Sequence, residues 1–495
     1  MPSIGVIGCG TVGACLVAAL AARADRFTGP NELVLVDRPE GRWRGRAYQR
    51  DTDAVLANGP MIGMSLYAGD PEHGVRWAQA KGLEVHPDER GVHRFLSRPV
   101  YGSYLEDAVE EALATLRAAG WTVRDIPETA AAIEPDGSGV VIRTENHSAR
   151  VDHVGLCLGG RADHDAYGLR GTPHYIDDPY PLREALAEVP ADAEIAVLGS
   201  GMIATDVLMA LRAFGHRGRV TLASRSGLLP SVRRKAAPVR PSVLTAEKLA
   251  SLPRPVRLAD VVALAEAEVA GAGGDFTAIA ADLLDPEPAE ERLRRQLADS
   301  LSDDIGTQLI QRAVIDIGQD LWLALGEGDK QEVLSELHAR LWSFASPIPR
   351  TTAEKLVELY DAGRLRVRPG VDAVERDGDG FRLRYEQGPE DRADLVVNAV
   401  TSAYRPEPPS AGGLLGLART AGFLTDHEHG GIRVEEATGK ALDDSGRADD
   451  RVFVLGELTR GAYYFVSAVA SFTRRADEIA ESLAALPAPV PSAAH

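Results

Sequence analysis

Two glycine-rich turns, each lying between an apolar run and a helical pattern, constrain the fold of this chain more than any other feature. The first covers residues 8–13, with the sequence Gly-Cys-Gly-Thr-Val-Gly, and follows the apolar residues 4–7. In such a turn Gly8 permits the tight bend, Gly10 lets the backbone approach a pyrophosphate, and Gly13 allows close packing of helix on strand. The sequence therefore predicts a strand–turn–helix unit that binds a dinucleotide.

The residue after the second predicted strand indicates what kind of dinucleotide the first turn binds. That strand covers residues 32–36 and is followed by Asp37. A carboxylate at this position accepts hydrogen bonds from the two hydroxyls of an unmodified ribose. The first turn therefore favours a dinucleotide whose ribose carries no 2′-phosphate.

A second turn of the same kind covers residues 199–204 and contains Gly199 and Gly201. The strand that follows it leads into Ser224 and Arg225, so a base stands where the first unit has an acid. An arginine there can pair with the 2′-phosphate of NADPH. Opposite charges at the two strand ends predict FAD at the first turn and NADPH at the second. The alternative for Arg225 is an exposed loop charge.

The stretch between the second unit and residue 350 has a different pattern. Apolar residues recur there at helical spacing, and strand patterns are missing until residue 365. We predict an α/β fold with two Rossmann-like dinucleotide-binding domains and a helical insertion. The predicted domains are residues 1–190 as the first part of the FAD-binding domain, 191–235 as the first part of the NAD(P)H-binding domain, 236–350 as the helical insertion, 351–405 as the second part of the NAD(P)H-binding domain, and 406–495 as the C-terminal part of the FAD-binding domain.

Two later patterns place glycines after further predicted strands. One apolar run leads into Gly159, and another leads into Gly456 and Glu457, and we expect all three residues to contact the FAD. A long helix is predicted from about residue 463 to residue 486. Its positive end would be directed at the flavin pyrimidine. The alternative is a helix that only covers the C-terminal part of the fold.

Composition argues against several classes of function. The 495 residues include 73 acidic and 54 basic residues, and the net charge of −19 argues against nucleic-acid binding. No apolar run approaches the roughly 20 residues needed to cross a membrane, and no secretory leader precedes the first strand. The three cysteines have neither the spacing of a redox pair nor that of a metal site. We therefore expect a cytoplasmic protein without a bound metal.

Several short motifs outside the glycine turns carry a resemblance to a known family. They are residues 45–48 (Gly-Arg-Ala-Tyr), 56–58 (Leu-Ala-Asn), 64–65 (Met-Ser), 98–105 (Arg-Pro-Val-Tyr-Gly-Ser-Tyr-Leu), 224–230 (Ser-Arg-Ser-Gly-Leu-Leu-Pro) and 456–461 (Gly-Glu-Leu-Thr-Arg-Gly). Together they resemble the FAD/NAD(P)-binding flavoproteins related to the flavin-dependent N-hydroxylating monooxygenases. The resemblance implies FAD and NADPH as cofactors, with a small-molecule substrate and molecular oxygen as partners.

The same resemblance suggests catalytic residues. It places Met64 in the flavin-side loop and Asn58 beside flavin N5, where an amide both donates and accepts; the alternative is an ordinary turn asparagine. Tyr48 would stack on or near the isoalloxazine, or be a structural tyrosine. Arg98 would meet the FAD pyrophosphate or a substrate carboxylate, or form a surface ion pair. The basic residues 233–235 would steer NADPH phosphates, or be solvated.

The resemblance favours one function and leaves two alternatives open. The favoured one is an NADPH-dependent monooxygenase that hydroxylates an amine or amino acid through a flavin C4a-hydroperoxide. The first alternative is an FAD-dependent dehydrogenase or reductase without oxygenation, because the histidine motif of flavin monooxygenases is incomplete at residues 171–174. The second is a non-catalytic nucleotide-binding protein. The helical insertion contributes either to the substrate site or to a homo-oligomer interface.

Overall fold

The structure, a computed structural model, describes residues 2–159, 165–284, 286–400 and 413–486. Its strands are β1 (Ser3–Ile7), β2 (Glu32–Val36), β3 (Thr122–Ile126), β4 (Ala132–Asp136), β5 (Gly139–Arg143), β6 (Ser148–Val151), β7 (His153–Leu156), β8 (Tyr175–Ile176), β9 (Ile195–Leu198), β10 (Val220–Ala223), β11 (Leu365–Arg368), β12 (Val371–Asp377), β13 (Gly380–Tyr385), β14 (Asp391–Ala393), β15 (Leu395–Asn398), β16 (Lys440–Leu442) and β17 (Ala448–Val454). Its α-helices are α1 (Thr11–Ala21), α2 (His73–Ala80), α3 (Arg98–Ala118), α4 (Leu182–Ala185), α5 (Met202–Ala213), α6 (Ala246–Ala250), α7 (Leu258–Gly271), α8 (Phe276–Leu284), α9 (Ala289–Asp299), α10 (Gly306–Ala324), α11 (Glu327–Glu332), α12 (His338–Ala345), α13 (Arg350–Asp361), α14 (Leu414–Thr420), α15 (Arg460–Tyr463) and α16 (Val469–Ala485). Within the described residues, each helix is too short or too polar to span a bilayer.

Strand β1, which leads into the first glycine turn, belongs to a six-stranded sheet in the order β16-β17-β7-β1-β2-β3. Strand β1 pairs in parallel with β2 and β7, so that Val6 lies opposite Leu35 and Gly155. These three central strands are buried on both faces, as expected for parallel strands that are covered on two sides. Helix α1 is buried over residues 12–21 and packs against α3 and α16. The first unit is therefore assembled from segments that lie far apart in the sequence.

Strand β9, which leads into the second glycine turn, belongs to a five-stranded parallel sheet in the order β11-β10-β9-β15-β8. Strands β9 and β10 come before the helical insertion, whereas β11 and β15 follow it. Two parallel sheets, each with a glycine turn before a buried helix, confirm the predicted α/β fold. The predicted domain boundary at residue 190 lies between β8 and β9, which both belong to this sheet. The predicted boundary at residue 405 lies outside the described residues.

Helices α6 to α13 occupy the chain between β10 and β11, and the described residues of this stretch form no strand. Apolar side chains that include Val269 and Ile310 form a core of their own. Trp322 of α10 stacks on Tyr464, with 4.6 Å between the ring centroids. The insertion therefore contacts the loop that precedes α16, next to the first unit.

Candidate functional site

The first glycine turn has the geometry that a dinucleotide requires. Gly8 has a φ of +92°, and a Cβ there would lie 2.7 Å from the carbonyl oxygen of Cys157. A Cβ on Gly13 would lie 2.3 Å from the carbonyl oxygen of Gly8, so both positions require glycine. Gly10 precedes the first residue of α1, and no side chain caps the helix there. The N–H groups of the first turn of α1 are therefore available to an anion, and the residues fit a pyrophosphate.

Asp37 lies beside this turn, at the end of β2. Its carboxylate accepts hydrogen bonds from the backbone N–H groups of Cys9, at 2.7 Å, and of Arg38, at 2.8 Å. These bonds fix the carboxylate next to the turn. Each oxygen keeps a further lone pair, so the geometry leaves room for a ribose diol to donate to Asp37.

The second glycine turn repeats this geometry. Gly199 has a φ of +109°, and a Cβ there would lie 2.9 Å from the carbonyl oxygen of Ala399. Gly201 precedes α5, which again begins without a side-chain cap. This turn therefore also offers unpaired N–H groups to a phosphate.

The two turns differ in what covers them. A Cβ on Gly10 would lie 3.2 Å from the Cα of Gly45, because the loop over residues 41–50 closes on the first turn. Around a Cβ on Gly201 there is nothing within 4 Å among the described residues. As far as the described residues go, the first turn is enclosed and the second is open, which suits a resident cofactor at the first and an exchanging one at the second.

Ser224 and Arg225 follow β10 and have different environments. The Ser224 hydroxyl lies 2.8 Å from that of Ser200 and accepts a hydrogen bond from the N–H of Gly227, so it joins the second turn to the loop after β10. Arg225 is exposed, and no carboxylate pairs with it within the described residues. Burial, with a smaller contribution from the Arg225 charge, lowers the pKa of His338 to about 4. Arg225 therefore lies near the helical insertion with its charge available to a phosphate.

The remaining predicted glycines lie at the carboxyl ends of β7 and β17. No described atom lies within 4 Å of a Cβ built on Gly159. Gly456 has a φ of +84°, and a Cβ there would lie 2.9 Å from the side chain of Val12, so its loop packs on the start of α1. Glu457 accepts a hydrogen bond of 2.6 Å from the Ser467 hydroxyl, and burial raises the pKa of its carboxyl. The C-terminal loop is thus placed at the first glycine turn.

The last helix begins later than predicted. Helix α15 ends at Tyr463, and α16 begins at Val469 after Ala468, whose side chain gives no cap. Between them Tyr464 has a φ of +59°, a conformation that interrupts a right-handed helix. The predicted positive helix end near residue 463 therefore lies at residue 469.

Tyr48 and Met64 lie against the same tyrosine of α3. The Tyr48 ring packs edge-on against Tyr101, with 4.7 Å between centroids, and burial raises the pKa of the Tyr48 hydroxyl. The carbonyl oxygen of Met64 accepts a hydrogen bond of 2.9 Å from the Tyr101 hydroxyl. Both residues are held by packing, and their roles toward a flavin stay predictions.

Asn58 has a different partner. Its backbone carbonyl accepts a hydrogen bond of 2.7 Å from Nη2 of Arg233, which comes from the segment after β10. The side-chain amide of Asn58 is half-buried and has no hydrogen-bond partner among the described residues. The amide is therefore free to meet a ligand, as the predicted role beside the flavin requires.

Arg98 forms an ion pair inside the protein. Its guanidinium lies 2.9 Å from the carboxylate of Asp206 on α5, with 10% and 4% of the two side chains exposed. Tyr180 donates a hydrogen bond to the same carboxylate. Burial opposes the charge, but Asp206 outweighs it and holds the pKa of Arg98 above its ordinary value. The pair joins α3 of the first unit to α5 of the second. Arg98 was predicted to meet a pyrophosphate, a substrate carboxylate or a surface partner, whereas in the structure its guanidinium pairs with the buried Asp206.

Arg44 is a site residue that the sequence did not indicate. Its side chain is 4% exposed and bonds the Glu106 carboxylate through Nε at 2.7 Å and through Nη2 at 2.8 Å. Its Nη1 donates to the carbonyl oxygens of Tyr48 and Pro99. Arg44 therefore ties the loop over the first turn to α3. Its partners on α3, Pro99 and Glu106, lie more than 50 residues away in sequence, so no local motif could have identified it.

One cluster of residues has the donor types of a metal site. Side-chain ligand atoms of Glu327, Glu428 and His429 lie within 4.8 Å of one another. His429 contacts Glu327 directly at 2.5 Å, and the Lys330 ammonium lies 3.9 Å from the same carboxylate. His429 and Lys330 already contact the Glu327 carboxylate, and we assign no metal to this cluster.

Comparison with known proteins agrees with this geometry. Residues 5–161 match a family described as FAD-NAD(P)-binding, which supports the predicted binding of FAD and of a nicotinamide dinucleotide. No curated protein is similar enough in sequence to match the chain.

Solved structures match the fold over nearly the whole chain. Ornithine hydroxylase from Pseudomonas aeruginosa is 14% identical, with 98% of each chain covered and a TM-score of 0.59. The ornithine N-hydroxylase from Kutzneria sp. 744, solved with reduced FAD, NADP⁺ and L-ornithine, is 13% identical over 97% of this chain and 98% of that one, with a TM-score of 0.54. The bacillithiol disulfide reductase from Staphylococcus aureus is 11% identical over 97% and 98%, with a TM-score of 0.50. The predicted resemblance in fold to the N-hydroxylating flavoproteins is confirmed.

Proposed function

We propose that this chain is an FAD- and NADPH-dependent monooxygenase that hydroxylates the amine nitrogen of a small polar substrate. The observation that carries the proposal is the pair of uncapped glycine turns with an acid, Asp37, beside one and beside the other a base, Arg225, that no carboxylate of the described residues pairs with. The fold shared with ornithine hydroxylases supports it. The free amide of Asn58 supplies the polar group that such chemistry uses beside the flavin.

The residues of the chain bind and orient the cofactors. FAD, when bound, would supply hydride acceptance from NADPH and activation of molecular oxygen. The N–H groups at the start of α1 would hold the FAD pyrophosphate, and Asp37 would accept from its ribose. The turn at Gly201 and the charge of Arg225 would hold NADPH and allow NADP⁺ to leave. The Asn58 amide orients the reacting groups by donating one hydrogen bond and accepting another.

The second candidate is a reductase that transfers electrons without oxygenation. The fold similarity to a disulfide reductase favours it. The thiols oppose the disulfide version, because Cys9, Cys15 and Cys157 are all buried and burial raises the pKa of Cys9 to about 12. A thiol that stays protonated at neutral pH is a poor nucleophile.

The test combines oxygen uptake with product analysis. The purified protein with FAD is supplied with NADPH and a panel of amines and amino acids, and the rate without amine gives the uncoupled background. We expect one class of amine to stimulate oxygen uptake and to gain one oxygen atom by mass spectrometry. Flavin reduction by NADPH with no oxygenated product from any amine would contradict the proposal and favour a reductase. Bound cofactor with no turnover at all would favour the non-catalytic alternative.

A further inference from the structure

A small basic cavity lies where three separate stretches of the chain meet. Phe95, from the first unit, forms one wall, and the basic residues 233–235, from the segment after β10, form another. Leu301, between α9 and α10, and Arg350, the first residue of α13, also line it. Ligand sites form preferentially at such junctions between structural units.

Arg233 lines this cavity without a counter-charge among the described residues. No carboxylate there pairs with it, and its Nε is buried without a hydrogen-bond partner. Within the described part of the chain its guanidinium makes one hydrogen bond, the 2.7 Å contact from Nη2 to the carbonyl oxygen of Asn58. Burial lowers the pKa of Arg233 to about 10, so the guanidinium still carries its charge at neutral pH.

The neighbouring basic groups do not remove this excess of positive charge. Arg234 donates only to uncharged oxygens, the carbonyl of Asp299 at 3.0 Å and the hydroxyl of Ser302 at 2.8 Å. Lys235 and Arg350 each have one acidic partner, Asp303 and Glu354. Arg98, which is buried, has the Asp206 carboxylate as its partner. Removing a cation from water without a partner is costly, so an anion that enters this cavity beside the partly buried Arg233 is bound favourably.

We propose that the cavity binds the carboxylate of the substrate, so that the enzyme acts on amino acids in preference to diamines. This inference rests on the proposed function. The cavity is small and has an apolar wall at Phe95, whose ring lies 6.0 Å from the Arg233 guanidinium carbon. A guanidinium matches the planar fork of a carboxylate. The bond from Arg233 to Asn58 connects the cavity to the loop predicted to lie beside the flavin, while Arg225 serves the phosphate of NADPH.

Matched substrates test the inference directly. Ornithine and putrescine, and lysine and cadaverine, differ only by the carboxylate. We expect hydroxylated product from an amino acid with a KM at least about 30-fold below that of its diamine. Equal KM values for the members of a pair, with hydroxylated product from both, would overturn the inference and leave the proposed function intact.

The variant Arg233→Gln tests the residue. We expect the KM for the amino acid to rise about 30-fold or more, the KM for the diamine to change little, and Arg233→Lys to recover part of the loss. The matched control is Arg240→Gln, which changes an exposed arginine in the same segment. Anaerobic flavin reduction by NADPH without substrate shows whether Arg233 binds the substrate carboxylate or a phosphate of NADPH. A raised KM for NADPH in that assay, with the amino-acid KM unchanged, would overturn the inference in favour of a cofactor phosphate.

A binding measurement keeps the inference distinct from the catalytic proposal. Calorimetric titration of the FAD-bound protein with 5-aminopentanoate and with pentylamine measures binding without turnover. The first comparison uses the unaltered protein, so it does not depend on whether a variant folds. We expect binding of the carboxylate compound at least tenfold tighter, and loss of this difference in Arg233→Gln. Equal affinity for the two compounds would overturn the carboxylate site. Absence of any hydroxylated product would overturn only the proposed function.

Discussion

The buried pair between Arg98 and Asp206 leads to a quantitative prediction. Asp206→Asn keeps an oxygen near the Tyr180 hydroxyl but removes the charge opposite Arg98, whose side chain is only 10% exposed. The cost of leaving such a charge unpaired is about 3–5 kcal/mol in the free energy of unfolding. Urea denaturation followed by tryptophan fluorescence measures it, with flavin release as a second probe.

Two comparisons show whether burial is the cause. Glu358→Gln removes the acid from the exposed pair that Arg212, also on α5, forms at 2.7 Å, and is expected to cost at most about 1 kcal/mol. Replacing both buried partners, Arg98→Met with Asp206→Leu, is expected to recover most of the loss, because no charge then remains buried. The reasoning is refuted if Asp206→Asn costs no more than Glu358→Gln, or if the double substitution is as unstable as the single one.

Three further predictions concern the turns and one surface carboxylate. Gly201→Ala places a methyl group where no described atom lies within 4 Å, so FAD content and thermal stability should stay unchanged. The KM for NADPH should rise roughly tenfold, which corresponds to about 1.4 kcal/mol of binding free energy. Loss of FAD instead would contradict the assignment of this turn to NADPH. Arg225→Gln should reduce the preference for NADPH over NADH by about 10–100-fold in steady-state kinetics, the value of one charge-assisted hydrogen bond; an unchanged ratio would place the 2′-phosphate elsewhere. Hydrogen bonds, first that from the Thr144 hydroxyl and then those from Asn146, lower the pKa of Glu128 to about 2, so its stabilising effect is complete above pH 4.5 and is lost as the pH falls toward 2. Glu128→Gln should therefore weaken the pH dependence of the unfolding midpoint between pH 2 and 4.5, and an unchanged profile would contradict this.

The parts of the site predicted correctly from the sequence are local. A Cβ on Gly13 would meet the backbone oxygen of Gly8 within the same turn, and a Cβ on Gly8 or Gly199 would meet a backbone oxygen at the end of the neighbouring parallel strand. The turn motif itself therefore predicts glycine at these three positions. Asp37 follows the strand that the motif defines. Such features depend on residues that are neighbours in sequence, or on the regular geometry of a parallel sheet.

The parts that were missed depend on partners far apart in sequence. Arg98 is 108 residues from Asp206, and Arg233 is 175 residues from Asn58. Neither hydrophobic periodicity nor a short motif predicts which carboxylate lies beside which guanidinium after the two units pack together. The start of the last helix was wrong for a related reason, because Tyr464 leaves the helical conformation where it stacks on Trp322 from the insertion.

The assembly of the first sheet from distant segments has a consequence for biosynthesis. Strand β7 lacks its neighbour β17, and α1 lacks the cover of α16, until the second sheet and the insertion have been translated. At about 5–20 residues per second, the roughly 300 residues between β7 and β17 take on the order of 15–60 s to synthesise. During that time the face of α1 that later contacts α16 lacks its cover, although α3 can already pack on the helix. The second sheet is complete once β15 has been made. Flavin capture is therefore a late event in the maturation of this chain, and nascent chains that stop before β17 emerges are left as targets for chaperones and proteases.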